Sequence, residues 1–297
     1  MPSRPTPLTA LRARPRPLPS SLVTSPRPRA FPTSLVPRAA ALSTTAQRAS
    51  VKDYAAAFLH GSEEAKEHLK QQHSKLVGRH KYVHELQRHQ VLPQHVEQYK
   101  KLIEGYYRGI HESSEFDARL TGSWEIVVGD VDTFVHIWEY QGLGGFERTK
   151  AAIRESRGHL QFFNHEILPL INSRNSQLCT EFKFFPVTDP QERGGLYELR
   201  TYDLKPGALL EWEHEWRGGL EARIAAGHTP VACWYAGIGK LHTVHMIWHY
   251  ASLEARREIR AASWLNDKWS NTVSRTVPLT QSMTSNILKA LPYSPMR

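Results

Sequence analysis

The chain has little sulfur to work with: two cysteines, Cys179 and Cys233, in 297 residues. That excludes a disulfide framework and a four-cysteine zinc site, and leaves the pair as buried, reduced thiols. No run approaches the roughly 18–20 apolar residues that a membrane-spanning helix needs, so the sequence does not describe an integral membrane protein. Acid is missing from the start of the chain, where the first carboxylate is Asp53. Also missing are a Gly-rich phosphate loop, Gly-x-Ser-x-Gly, His-Glu-x-x-His and Cys-x-x-Cys. The sequence therefore assigns no catalytic set, no cofactor and no metal.

The missing acid explains the net charge of +9. Residues 1–49 hold eight arginines and no lysine, and taking those eight from the total of 38 leaves 30 basic residues against 29 acidic. The remainder is nearly neutral, and without interleaved basic and aromatic residues it carries no nucleic-acid signature. The segment 1–50 is rich in Arg, Ser, Ala and Pro, which is the composition of a mitochondrial transit peptide. A membrane potential negative inside draws such a segment inward, at roughly 2.3 kcal/mol per charge per 100 mV. No apolar h-region follows the first charges, which excludes a secretory signal. Matrix residence is expected, with membrane association as the other placement.

What is present in abundance is tryptophan, and it repeats. Trp124, Gly129, Thr133, Ile137, Trp138 and Tyr140 recur 110 residues later as Trp234, Gly239, Thr243, Ile247, Trp248 and Tyr250. Both stretches alternate like hairpin strands around Gly129-Asp130 and Gly239-Lys240. Upstream, Tyr82–Leu92 and Leu196–Leu204 read as strands. Each leads to a helix, one carrying Val96, Tyr99, Ile103 and Tyr106 or Tyr107, the other Leu209, Trp212, Trp216, Leu220 and Ile224. Downstream come helices near 143–171 and 252–270, then strands at 177–185 and 279–288. The order β-α-β-β-α-β, twice, predicts an α+β fold of tandem ferredoxin-like halves. Its organisation is a leader (1–50), a lead-in (51–81), a first half (82–186), a connector (187–195) and a second half (196–297). The tryptophan and tyrosine faces, Phe134-His136-Trp138-Tyr140 and Val244-Met246-Trp248-Tyr250, are expected to hide from water by meeting, with the antiparallel sheets facing each other.

The stretch Tyr197-Glu-Leu-Arg-Thr-Tyr-Asp-Leu-Lys-Pro-Gly207 resembles the opening motif of the NIPSNAP family. Ile238-Gly239, His245–Tyr250, Arg256–Arg260 with Trp264, Gly122-Ser-Trp124 and Glu181-Phe-Lys-Phe184 resemble further family segments, so the likeness spans about residues 52–297. It implies a mitochondrial protein of the dimeric α/β-barrel type, and a non-enzymatic scaffold or adaptor in mitochondrial quality control. The partners it implies are other mitochondrial proteins, the autophagy receptors of mitophagy, and a second copy of the chain. The alternative is a small-molecule or heme-binding barrel, monooxygenase-like by fold analogy.

Several residues stand out as candidates. Glu198, Arg200 and Tyr202 share one strand face and fit either a pocket wall or a sheet-surface charge pair. His136, Trp138, His245 and Trp248 complete the pocket or interface set. His245 and His249 lie about 13 Å apart on a strand, too far to share a metal. His60, His68, His73, His80, His84 and His89 form a histidine-rich run read as a solvated face. Arg256, Arg257 and Arg260 read as a solvated, salt-bridged helix face, with a partner or anion site as the sharper reading.

Overall fold

The computed structural model describes residues 81–185, 187–225 and 227–297. The leader, nearly all of the lead-in, and His60, His68, His73 and His80 lie outside the described residues.

Eight strands form one closed antiparallel barrel. They are β1 (Val83–Val91), β2 (Ala118–Val128), β3 (Thr133–Tyr140), β4 (Ile171–Glu181), β5 (Leu196–Leu204), β6 (Ala232–Ile238), β7 (Thr243–Tyr250) and β8 (Thr280–Ala290). Around the barrel the order is β1-β3-β2-β8-β5-β7-β6-β4. Within each half, four consecutive strands are therefore arranged fourth, first, third, second, and two junctions, β2 with β8 and β4 with β6, close the ring. Since every pairing is antiparallel, β1 and β5 run in the same direction. Both hairpin turns, β2–β3 and β6–β7, thus sit at one end of the barrel.

The helices are α1 (Val96–Glu112), α2 (Gly142–Glu155), α3 (Arg157–Phe162), α4 (Leu209–Ala225), α5 (Leu253–Trp264) and α6 (Asp267–Thr276). The helices expected near 143–171 and 252–270 are each broken in two. Ser252 caps α5 by accepting from the Ala255 amide, and Asn266 caps α6 by accepting from Lys268, so a fresh N-terminus forms where one long helix was expected. The closing strands begin and end away from the expected bounds, at Ile171 rather than 177 and at Ala290 rather than 288.

One expectation fails in an instructive way. The tryptophan faces do not meet. Phe134, Trp138 and Tyr140 pack with Tyr99, Ile103 and Tyr107 of α1, and Val244, Met246, Trp248 and Tyr250 pack with Trp212, Trp216 and Leu220 of α4. The barrel interior takes the opposite parity. It is a cluster drawn from all eight strands, including Leu86, Trp124, Ile137, Leu199, Trp234, Ile247 and Leu288. An eight-stranded barrel is just wide enough for its own side chains to fill. The sheets do not face each other as separate layers: they are one ring with a packed interior and helices on its outside.

The turns repeat in detail. Gly129 and Gly239 have φ of +115° and +107°, and Asp132 and His242 have φ of +57° and +56°. A Cβ on Gly129 would collide with Asn286 Oδ1, so both backbone conformation and space demand glycine there.

Candidate functional site

Helices outside a barrel leave room between helix and sheet. In the first half that room is a cavity of about 640 Å³, walled by the outer face of β1 and β3 and by α1, α2 and the turn after α3. Tyr106, Tyr107, Trp138, Phe146 and Phe163 supply its apolar walls, and Glu85, Gln87, His89, Lys150 and Arg174 its polar groups. The volume falls within the range of small-molecule sites, and so does the mix of aromatic wall and few convergent polar groups.

Glu85 anchors the polar set. Its carboxylate accepts hydrogen bonds from the Ser176 hydroxyl at 2.6 Å and the Tyr140 hydroxyl at 2.7 Å, and pairs with Lys150 Nζ at 2.8 Å. Burial alone would push its pKa up, but Lys150, Ser176 and Tyr140 outweigh that and hold it below the usual carboxylate range.

Behind the cavity wall runs a chain of buried hydrogen bonds. His89 Nδ1 lies 2.7 Å from the Tyr99 hydroxyl, which lies 2.9 Å from His136 Nε2. His136 Nδ1 is 2.5 Å from Ser123 Oγ, which is 3.1 Å from the Tyr293 hydroxyl. Burial, then Arg174, pushes His89 down to about 3, and burial, then His89, holds His136 well below the ordinary imidazole range. Both rings are neutral at pH 7. A neutral imidazole donates from one nitrogen and accepts at the other, so the chain has two self-consistent settings that differ in the direction every bond points.

The second half carries the same framework with different chemistry. Strand register makes Glu198 the counterpart of Glu85, Arg200 of Gln87 and Tyr202 of His89. Glu198 is fully buried. It accepts from the Ser285 hydroxyl at 2.6 Å and Arg200 Nη1 at 2.9 Å, and two nitrogens of Arg256 reach it at 3.0 and 2.7 Å. Burial opposes its ionisation, but Arg256, Ser285 and Arg200 bring it down to about 2. Tyr202 accepts from Arg200 Nε at 2.7 Å. These groups crowd the room that the first half leaves open, and the space beneath α4, α5 and α6 shrinks to about 210 Å³.

The sequence-level candidates therefore separate. Arg200, Tyr202 and Trp248 line the second-half pocket, with Glu198 buried behind them. Trp138 lines the first-half cavity, and His136 stands two hydrogen bonds behind the lining residue His89, through Tyr99. His245 belongs to neither. It has interior parity, its Nδ1 is 2.9 Å from Thr201 Oγ1 and its Nε2 is 3.1 Å from Gln177 Oε1, and burial, then Arg88, lowers it to about 4. The arginine run of α5 is not one solvated face. Arg257 pairs with Glu254 in solvent, Arg256 reaches the buried Glu198, and Arg260 lines the pocket. The histidine run is not a solvated face where it is described, because His84 and His89 are buried on opposite faces of β1. Among the described residues no group of three metal-ligating side chains is assembled.

Sequence reading missed Glu85, Lys150 and Arg223. The signal for Glu85 was present: Glu85-x-Gln87-x-His89 sits on its strand as Glu198-x-Arg200-x-Tyr202 sits on its own. The stripe on α4 was expected to end at Ile224, but Ile224 is 40% exposed and Arg223, at 3%, takes the buried position.

With this geometry in view, the comparisons with known proteins are specific. The NIPSNAP family model matches residues 84–186 and again 197–295, one match per half. Human Protein NipSnap homolog 2 is 31% identical over 273 residues, covering 91% of this chain and 93% of the relative. Drosophila melanogaster Protein NipSnap is 30% identical over 232 residues, 77% of this chain and 84% of the relative. A solved structure of a provisionally named monooxygenase from Fusobacterium nucleatum aligns with a TM-score of 0.52 at 12% identity, over 71% of this chain and 92% of that one. At that identity it speaks for the barrel fold alone. Two family matches, one on each half of a closed barrel, and relatives alike along nearly their whole length lead to one statement: this chain belongs to the NIPSNAP family.

Proposed function

We propose that this chain is a mitochondrial binding protein, and that its first half holds a small organic molecule between sheet and helices. The observation that carries this is the first-half cavity of about 640 Å³, aromatic on its walls, with Glu85, His89, Lys150 and Arg174 converging on it. The two halves are read as tandem copies of one ferredoxin-like unit, of which the first kept its room and the second filled it. Native mass spectrometry of the full chain, followed by thermal-shift titration of a compound collection, tests the reading. A retained or stabilising ligand lost in Ala151→Trp, which adds bulk at the cavity wall, supports it. Absence of any ligand, or unchanged binding in that variant, refutes it. For heme, His89 is the one histidine among the described residues that lines the cavity, and hemin titration read at the Soret band decides that case.

A second reading, an adaptor in mitochondrial quality control, draws support from the hairpin tips. Val128 and Val131 at one turn, and Ile238 and Leu241 at the other, are 53–58% exposed at the same end of the barrel. Apolar side chains exposed in twin positions are the kind of surface that binds protein. Affinity capture from mitochondria before and after depolarisation, with V128D/I238D beside the wild type, reads it. A partner lost in the double variant supports the adaptor, and no enrichment in either state counts against it. N-terminal sequencing of the mitochondrial form tests the leader.

A further inference from the structure

We propose that the second-half pocket is a binding site for a small, flat carboxylic acid, an aromatic monocarboxylate held by Arg223 and Arg260. This inference does not depend on the first-half cavity being occupied.

The argument starts from a charge in an expensive place. Arg223 is 3% exposed, and its Nε and Nη2 make no hydrogen bond. The Tyr250 hydroxyl is near enough to interact electrostatically with Arg223, yet the two do not reach hydrogen-bond geometry. The guanidinium instead lies between two indoles, 4.0 Å from the Trp248 ring centre and 4.8 Å from that of Trp269. Cation–π contact eases the burial of such a charge, but it does not satisfy the N–H groups, and buried guanidiniums ordinarily find a carboxylate or phosphate.

The twin half shows that the fold does not require this arginine. Helices α1 and α4 are both 17 residues long and start 113 apart, the same spacing that relates Glu85 to Glu198. That places Arg223 where the first half has Ile110, a buried apolar residue that lines its own cavity. An isoleucine serves the packing at that position, so the second half carries a charge that structure alone does not call for.

The pocket is consistent with an anion. Among the described residues its lining includes Arg200, Arg223 and Arg260 and no aspartate or glutamate. Glu198 lies behind the lining, already engaged by Arg200, Arg256 and Ser285. Arg223 and Arg260 have no acidic partner among the described residues. Trp212, Trp216, Trp248, Trp264 and Trp269 form flat apolar walls. A fully hydrated inorganic anion gains little from five indoles, whereas an aromatic acid stacks its body on them and offers two oxygens to a guanidinium fork. The volume of about 210 Å³ is below the usual span of drug-sized sites, so the ligand is small.

The test is a titration of the full chain with benzoate, read by tryptophan fluorescence and by thermal shift, beside benzamide and inorganic phosphate. The expected result is saturable quenching and stabilisation by benzoate, with benzamide inert and phosphate weaker. Arg223→Met keeps apolar contact with the indoles and removes the charge, and should weaken benzoate binding at least about tenfold, as loss of a charged hydrogen bond does. Its unliganded melting temperature should hold, as the Ile110 position suggests. Should R223M fail to fold, R260Q, on a partly exposed residue, gives the same reading through weaker binding. The proposal is overturned if benzoate gives no saturable signal at millimolar concentration, or if benzamide or phosphate binds as well as benzoate. It is equally overturned if binding survives in R223M and R260Q, or if it is lost instead in Arg174→Gln of the first-half cavity.

Discussion

Removing a single oxygen tests the buried chain between His89 and His136. In Tyr99→Phe the ring stays where it is, fully buried against Phe134 at 4.7 Å between ring centres. Only the hydroxyl goes, and with it the bridge to His89 Nδ1 at 2.7 Å and to His136 Nε2 at 2.9 Å. Two imidazole nitrogens are then stranded where water does not reach. Each buried polar group left without a partner costs about 1–3 kcal/mol, and the loss is offset in part because the phenol no longer needs desolvating. The expected destabilisation is about 2–4 kcal/mol, a fall in melting temperature of roughly 4–16 °C for a domain of this size. Urea unfolding with an unchanged slope is the assay. The second measurement is a double-mutant cycle with His136→Met, chosen because the register partner of His136 in the second half is Met246. If the hydroxyl acts through the histidines, Tyr99→Phe costs less in the His136→Met background. A Tyr99→Phe protein within about 0.5 kcal/mol of wild type, the scatter of an ordinary surface change, would refute the reasoning.

Other consequences follow from the same contacts. Acid should destabilise the fold between pH 7 and pH 5. His89, lowered to about 3, and His245, lowered to about 4, stay neutral when folded and take up protons when unfolded below about 6.5. Each contributes about 2 kcal/mol over that interval, so the unfolding midpoint should fall with pH, and a flat profile would contradict the burial of these rings. Glu213 has the opposite sign: burial raises it to about 7, so its charge opposes folding as pH rises above the free-carboxylate range. Glu213→Gln should therefore raise the melting temperature more at pH 8 than at pH 5, and an equal gain at both would sink that account. Glu198→Ala leaves the Arg200 and Arg256 guanidiniums without their acid and should cost about 3–5 kcal/mol by denaturant titration, whereas Glu254→Ala at the exposed Arg257 pair should cost under about 1 kcal/mol. Gly129→Ala meets both a φ of +115° and Asn286, and should cost about 1–3 kcal/mol.

The repeat, the hairpins and the strand-helix order were legible in the chain because each rests on local chemistry. Glycine turns, period-2 strands and the helical spacing of Tyr99, Ile103 and Tyr106 are set by neighbours within one or two turns of backbone. Thr133–Tyr140 reads as a strand from its residues alone, and it is one. Which of its faces turns inward did not follow. In β3 seven of eight residues are buried, so no polar face marks the outside, and a strand buried on both faces gives no parity signal. Trp138 looked like a residue for the barrel interior because it is large and aromatic, yet the interior takes Val135, Ile137, Trp124 and Trp234.

The two sites divide along the same line. Glu198, Arg200 and Tyr202 could be picked out as a row because they share one strand. Glu85 meets Lys150 across 65 residues and Ser176 across 91, and Arg223 meets Trp248 and Trp269 from three separate elements. Such meetings depend on tertiary folding within each half, where β4 returns to pair with β1 and where α4 and α6 come together over β7. The sequence alone determined a duplicated unit with glycine-locked hairpins and amphipathic helices. Only the tertiary structure decided which faces the helices cover, and why one half keeps an open cavity while the other fills its room with arginine. The reason is that closure of a barrel is a property of all eight strands together, and no window of sequence contains it.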